Sequence, residues 1–325
     1  MIVLTAESAS ELFTAACQAV LLNGRVVCPR EMTTTEVVGA HLCLTNPRRR
    51  LVHVPPARVI NPAFAVAEAL WILSGSEEPW IFDFNDNLRR YADEGVLRGA
   101  YGPRLRRWGG ELNAVVDQLD AVRRQLAADR DSRRAVIQIY DPARDHRGYR
   151  DVPCTLGYRF FIRQGRLVMH TSMRSQDLWL GFPYDIFTTT LIQELLAGWL
   201  GVDVGDYHHH VDSLHLYAEH AEAAADVLRC PPATTEMPLV RVAWPDLDPL
   251  LRRTISGDIT SADGAVWEEF GRVLASYRSW KAGERDQARK LATDTPGPLG
   301  AALSAWYDHL TPTTAAANAL AGERR

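Results

Sequence analysis

Cys154 follows Val152-Pro153 and stands just before a run that reads as a strand, so its thiol sits at a backbone corner. A lone cysteine is more often an inert small hydrophobe than a reactive group. A neighbouring guanidinium would change that, because positive charge lowers a thiol's pKa and raises the fraction of nucleophilic thiolate. Two arginine sites qualify: Arg133-Arg134 in the segment DSRR, and Arg174 in MRSQD. Solvated surface side chains are the plain reading of both. Ser175 follows Arg174, however, and a guanidinium fork beside a hydroxyl suits a phosphate dianion. Glu68 is a carboxylate within FAVAEALWIL, which is apolar around nearly its whole circumference if helical. Burial raises a carboxyl pKa and fits the group for general acid–base work; a structural cap in the core is the alternative. His208, His209 and His210 are consecutive, so in a strand they face opposite sides, and no further ligands follow at metal spacing. No metal is expected.

The elements that must position these groups follow from periodicity. Phe64 to Leu73 predicts a buried helix ended by Gly75, and Leu112 to Leu126 has the spacing of an amphipathic surface helix. Ala135 to Tyr140 predicts a strand. Tyr158–Ile162 and Arg166–Ser172 predict a hairpin turning at Arg163-Gln164-Gly165, and Leu191 to Leu200 returns to helix. Helices mixed with hairpin-linked strands point to an α+β fold rather than a doubly wound parallel sheet. After Trp280 the composition turns charged and then Ala-rich. Residues 1–280 are therefore expected to form the catalytic domain and 281–325 a tail, helical or partly disordered.

The chain has 325 residues, 46% of them hydrophobic, enough for a substantial core in one or two domains. A formal charge of −4 argues against a broad nucleic-acid or membrane surface. Cys17, Cys28, Cys43, Cys154 and Cys230 form no CxxC pair, which favours free thiols in a reducing compartment. Glu7 and Glu11 precede any basic residue, unlike the start of a secretory signal, and the apolar run LIQELLAGWLGV is broken by Gln193 and Glu194. A soluble, cytoplasmic protein is expected.

Five segments carry a resemblance: AEALWILSG, AYGPRLRRW, DSRR, DVPCTLGYRFFIRQGRLVMHTSMRSQDLWLGFPYDIF and SLHLYAEH, in that order. Together they resemble the thymidylate synthase and pyrimidine hydroxymethylase family, from about Leu22 to His220. The resemblance implies a mixed sheet covered by helices, with one sheet face forming a homodimer interface. It implies that Cys154 is the nucleophile adding to C6 of a pyrimidine nucleoside monophosphate. Arg174 and Ser175 would bind the phosphate with Arg30 of CPRE, while Arg133 and Arg134 would reach across the interface to the neighbouring subunit's phosphate. His215 and Tyr217 match the sugar-binding pair, Tyr101 a tyrosine near the nucleophile, and Glu68 the carboxylate that organises waters and moves protons. Asp177, Gly181 and Leu88 fall at positions facing the co-substrate, 5,10-methylenetetrahydrofolate.

Departures from the family pattern direct the choice of substrate and product. Where thymidylate synthases have Asn, GFPYD has Asp185. A carboxyl group can accept from the cytosine N4 amino group and share a proton with N3, whereas an amide complements uracil. Leu88 stands where thymidylate synthases have a tryptophan that shields the late intermediate, with Tyr91 at a second aromatic position. The ending AGERR lacks the short apolar terminus that closes over the folate, and Thr155 replaces the histidine common after the cysteine. These changes favour water addition, so the resemblance implies a cytidylate 5-hydroxymethylase acting on CMP or dCMP. The alternatives are a thymidylate synthase and a non-catalytic nucleotide- or RNA-binding regulator. A cysteine hydrolase is disfavoured, because no local hydrolase signature surrounds the thiol.

Overall fold

The computed structural model describes residues 1–109 and 114–311. Eight strands form one mixed sheet: β1 (Ile2–Ala6), β2 (Arg25–Val27), β3 (Thr34–Leu44), β4 (Val136–Gln138), β5 (Thr155–Arg163), β6 (Arg166–Met173), β7 (Gln176–Asp177) and β8 (Asp203–Tyr217). The order is β1-β3-β8-β6-β5-β4, with β2 added to β3 and β7 to β8. β1 runs parallel to β3, and β6 and β7 parallel to β8, while the other pairs are antiparallel. The fold is α+β, as the sequence leads one to expect.

The β5–β6 hairpin closes through Gln164 and Gly165, both at positive φ (51° and 74°), the backbone that a tight two-residue turn demands. Alternation along the strands sorts side chains by face. Leu42, Met169, Thr171, Tyr207 and His209 point inward, where the Ala9–Asn23 and Phe182–Leu200 helices cover them. Phe182 meets His209 edge-on with ring centroids 5.6 Å apart, and Phe13 stacks on Phe182. His41, His170, His208 and His210 point to the other face, which stays partly exposed.

The Pro62–Leu73 helix starts at Asn61, whose side chain accepts from the Ala63 and Phe64 amides, and Pro62 pre-sets its first turn. Every residue in it is buried except Glu68, and Gly75 at φ 70° ends it. Two other elements differ from expectation at their ends. The surface helix spans Gln118–Ala128, because Asp117 caps it and the chain just before pairs Val116 with Trp108; Leu112 lies outside the described residues. The core helix expected over Leu191 to Leu200 begins at Phe182, nine residues before the apolar run that announces it. Pro183 in its first turn reads as a break in the sequence but is compatible with a helix start. Asp185 therefore lies in the first helical turn.

Beyond the Ala265–Lys281 helix, Arg285–Thr293 and Gly297–Leu310 are also helical and bury Ala288, Ala292, Leu299, Leu303 and Tyr307. Trp280 and Tyr307 stack at 4.1 Å, and Ser276 bonds both the Ala288 carbonyl and the Tyr307 hydroxyl. Among the described residues no helix is long and apolar enough to cross a membrane.

Candidate functional site

Cys154 is the residue before β5, beside a register shift between Thr155 and Gly157. A bulge of this kind re-aims the side chains next to it. Arg174, just after β6, is moored to the same corner: Nε donates to the Pro153 carbonyl (2.9 Å) and Nη2 to the Val152 carbonyl (3.0 Å), while Nη2 lies 3.7 Å from the Cys154 sulfur. The expected guanidinium is present and lowers the thiol pKa, but burial outweighs it. With Asp185, Asp151 and Asp177 adding to the rise, the thiol is pushed up to about 11. At neutral pH the resting cysteine is protonated.

Tyr101 and Asp185 interact with the thiol, and Glu68 lies in the field of Asp185. Thr155 N–H donates to the Tyr101 hydroxyl (3.3 Å), which ties Tyr101 to the nucleophile's neighbour. Burial, with the charges of Asp185 and Cys154, lifts the Tyr101 phenol well above its ordinary range. Glu68, the one partly accessible residue of its helix, is pushed up to about 8 by burial and by the charge of Asp185. Asp185 itself stands at about 6, raised by burial and by Asp177 and pulled back by a hydrogen bond from Gln176. Two coupled carboxyls with raised pKa values, one of them acting on the thiol, can hold and pass protons near neutrality.

A second wall comes from β7, β8 and the loop before β3. Ser175 Oγ lies 3.4 Å from His215 Nδ1, and Asp177 pairs in register with His215. The His215 and Tyr217 rings meet edge-on at 5.4 Å. Burial raises the Tyr217 phenol, and the charges of Asp177, Arg30, Tyr91 and Cys154 also act on it. Arg30 is exposed and sits at φ 51°, next to Glu31 at 65°, a left-handed backbone that costs energy for such residues and often marks a binding loop. Asp177 Oδ1 accepts from the Trp179 and Leu180 amides (2.8 and 2.9 Å), leaving Oδ2 without a hydrogen bond among the described residues. Leu88 packs partly buried in the Asp86–Tyr91 turn.

The sequence model of the thymidylate synthase family matches residues 11–255. The chain belongs to the thymidylate synthase family. A deoxyuridylate hydroxymethyltransferase of Bacillus phage SP01 is 37% identical over 220 residues, which cover 65% of this chain and 57% of that protein. The chain therefore spans little more than half of that relative's length.

Arg133 and Arg134 stand apart from this cluster. They lie exposed on the turn between the Gln118–Ala128 helix and β4, where they line a hollow with Gln125, Asp129, Asp131 and Ser132. Among the described residues neither forms an ion pair, and neither is among the groups that contact Cys154 or shift its thiol.

Sequence reasoning missed several members. Gln176, His209 and Tyr207 form a buried hydrogen-bonded line behind Asp185. Only the Gln inside RSQD hinted at it. Gly181 caps the Phe182–Leu200 helix, and a Cβ there would stand 2.8 Å from Gln176 Nε2 and 3.4 Å from Asp185 Oδ2. The histidine run also gains neighbours that linear spacing could not reveal. Cys43 lies opposite His208 on the adjacent strand, and with Asp206 their donor atoms fall within 4.8 Å of one another.

Proposed function

We propose that this chain is a cytoplasmic, homodimeric one-carbon transferase that converts a cytidine monophosphate, CMP or dCMP, to its 5-hydroxymethyl derivative. Asp185 carries the reading: its carboxyl sits among Cys154, Tyr101 and Glu68, with one oxygen engaged by Gln176 and the other without a hydrogen bond among the described residues. A free carboxylate oxygen complements an amino donor at C4 and repels a keto oxygen there.

In this reading Arg174, Ser175 and Arg30 hold the phosphate, and His215 and Tyr217 the sugar. Cys154 sulfur bonds to C6 as its proton leaves, and the C5–C6 electron pair becomes nucleophilic at C5. The co-substrate, 5,10-methylenetetrahydrofolate, supplies the electrophilic methylene that C5 captures. Asp177 Oδ2 and the surfaces of Leu88 and Gly181 are the groups assigned to it. Glu68 orders the water that takes the C5 proton and returns one to the leaving nitrogen, leaving an exocyclic methylene. Hydroxide from water adds to that methylene as the C6–S bond breaks, which restores the ring double bond and frees the sulfur. Leu88, in place of a shielding indole, leaves room for that water. The outward sheet face would meet a second copy, and Arg133 and Arg134 would complete the phosphate site of that copy. Residues 1–280 are assigned to this catalytic unit.

One observation favours a second reading: the phage relative is named for deoxyuridylate. The test is a parallel assay of CMP, dCMP and dUMP with the folate, with the product weighed by mass spectrometry. A gain of CH2O on a cytidylate supports the proposal. Conversion of dUMP alone overturns it, and a gain of CH2 with dihydrofolate release makes the chain a thymidylate synthase. If Cys154→Ser leaves the protein's cellular effect intact, a regulatory role replaces catalysis.

A further inference from the structure

Behind Asp185 runs a buried line of hydrogen bonds that links the first turn of the Phe182–Leu200 helix to the inner face of the sheet. Gln176 Nε2 donates to Asp185 Oδ2 (2.8 Å), and Gln176 Oε1 lies 2.9 Å from His209 Nε2. His209 Nδ1 lies 2.8 Å from the Tyr207 hydroxyl, which also meets Thr171 (3.0 Å) and Thr189 (2.8 Å). Gln176, His209, Tyr207, Thr171 and Thr189 are all buried.

Proton accounting fixes the direction of this line. A second contact of Gln176 Nε2 is the Asp177 carbonyl oxygen at 3.2 Å, and a carbonyl can only accept. The amide nitrogen must therefore face Asp177 and Asp185, and its oxygen must face His209. Burial pushes His209 down to about 3, so its ring is neutral with a single N–H. That proton must sit on Nε2 to satisfy the amide oxygen, which leaves Nδ1 bare to accept from Tyr207. Turning the amide over would set two oxygens against each other at Asp177 and leave a carboxylate facing an oxygen. Gly181 keeps the space clear, because a Cβ at this position would collide with Gln176 Nε2.

We infer that Gln176, oriented by His209, is a specificity-determining positioning residue that keeps Asp185 an acceptor toward the base. The inference rests on the cytidylate reading and sharpens it. An ionised Asp185 accepts from a 4-amino group, whereas a protonated Asp185 could donate to a 4-keto oxygen as an amide would. Asp185 titrates at about 6, so its protonated form is within reach near neutrality, and the Gln176 N–H is what holds it down. The other groups in Asp185's field are Asp177, Glu68, Tyr101, Tyr158, Tyr207 and Cys154; Asp177 raises the Asp185 pKa. Gln176 is thus a device against uridylate rather than only a support for cytidylate.

The experiment compares kcat/KM for cytidylate and uridylate at pH 6 and pH 8.5 in wild type, Gln176→Leu, His209→Leu and His209→Gln. Loss of the amide donor raises the Asp185 pKa, so both Leu variants should lose about tenfold or more of their discrimination at pH 6 and recover much of it at pH 8.5. His209→Gln restores an N–H facing Gln176 and should restore the ratio. Ratios that stay unchanged, or fall equally at both pH values, overturn the relay while leaving the cytidylate reading in place. Preference of the wild type for uridylate sinks that reading instead. An independent measurement needs no turnover: the carboxylic C=O infrared band that Asp185→Asn removes should titrate at higher pH in Gln176→Leu. A band that does not move overturns the relay whichever base the wild type prefers.

Discussion

The Arg174 guanidinium lies 3.7 Å from the Cys154 sulfur, yet the thiol's pKa stands at about 11 because burial and three carboxylates outweigh one cation. Proximity to an arginine does not by itself make a thiolate. In the proposed reaction, sulfur attack on a base is then coupled to proton removal, with Arg174 easing the charge as it forms.

Iodoacetamide labelling of the Cys154 peptide, followed by mass spectrometry, should rise continuously from pH 7 to pH 10 without levelling. Cys28, exposed on the surface, serves as the accessible reference. Arg174→Leu removes the lowering charge, so the midpoint moves further up and labelling at pH 8.5 slows by about two- to tenfold. A plateau below pH 9 in the wild type would contradict this account.

Glu68 gives a prediction for stability as well as for rate. Its folded pKa of about 8 lies above the ordinary 4.5. The stability it contributes is therefore fully present below the unfolded value and is lost as pH rises through 8, at about 1.4 kcal/mol for each unit of the rise. Glu68→Gln cannot ionise. Thermal melts should show wild type and variant close at pH 5 and the variant more stable at pH 9, while turnover falls by about a hundredfold or more. A wild type that stays level with the variant at pH 9 would mean that Glu68 is paired rather than stranded.

What the sequence disclosed followed from what each signal measures. Period-two and all-apolar runs located β5, β6 and the Pro62–Leu73 helix, because strand alternation and full burial are local properties. The start of the helix at Phe182 was hidden, since Pro183 reads as a stop although it fits a first turn. Motifs supplied Cys154, Arg174 and Asp185 by position. They could not supply His209 as a partner of Gln176, because that contact joins residues 33 apart through strand pairing. Nor could they give the sign of the thiol's shift, a balance between burial and the charges of four other residues.

Asp185→Asn should exchange the base preference. The amide oxygen would accept from Gln176 Nε2, which leaves Nδ2 to face the base as a donor. A 4-keto oxygen would then be complemented and a 4-amino group repelled. Steady-state kinetics should show cytidylate kcat/KM falling by roughly 10²–10⁴-fold while uridylate turnover rises. If both substrates fall together, Asp185 supports the site without choosing the base.

Arg133 and Arg134 are exposed cations without an ion pair among the described residues, on a turn outside the groups that contact Cys154 or shift its thiol. Arginines in that state suit an anion held by another copy of the chain. The double variant Arg133→Ala/Arg134→Ala and the single variant Cys154→Ser should each be inactive when purified separately. Unfolded and refolded together in equal amounts, they form mixed dimers. In each mixed dimer one site combines an intact cysteine from one protomer with intact arginines from the other. Random pairing then restores about a quarter of wild-type sites, because half the dimers are mixed and each has one complete site. Activity that stays at zero in the mixture, with dimers confirmed by light scattering, would place those arginines in their own subunit's work or in none. Full activity of the arginine variant alone would remove them from the site.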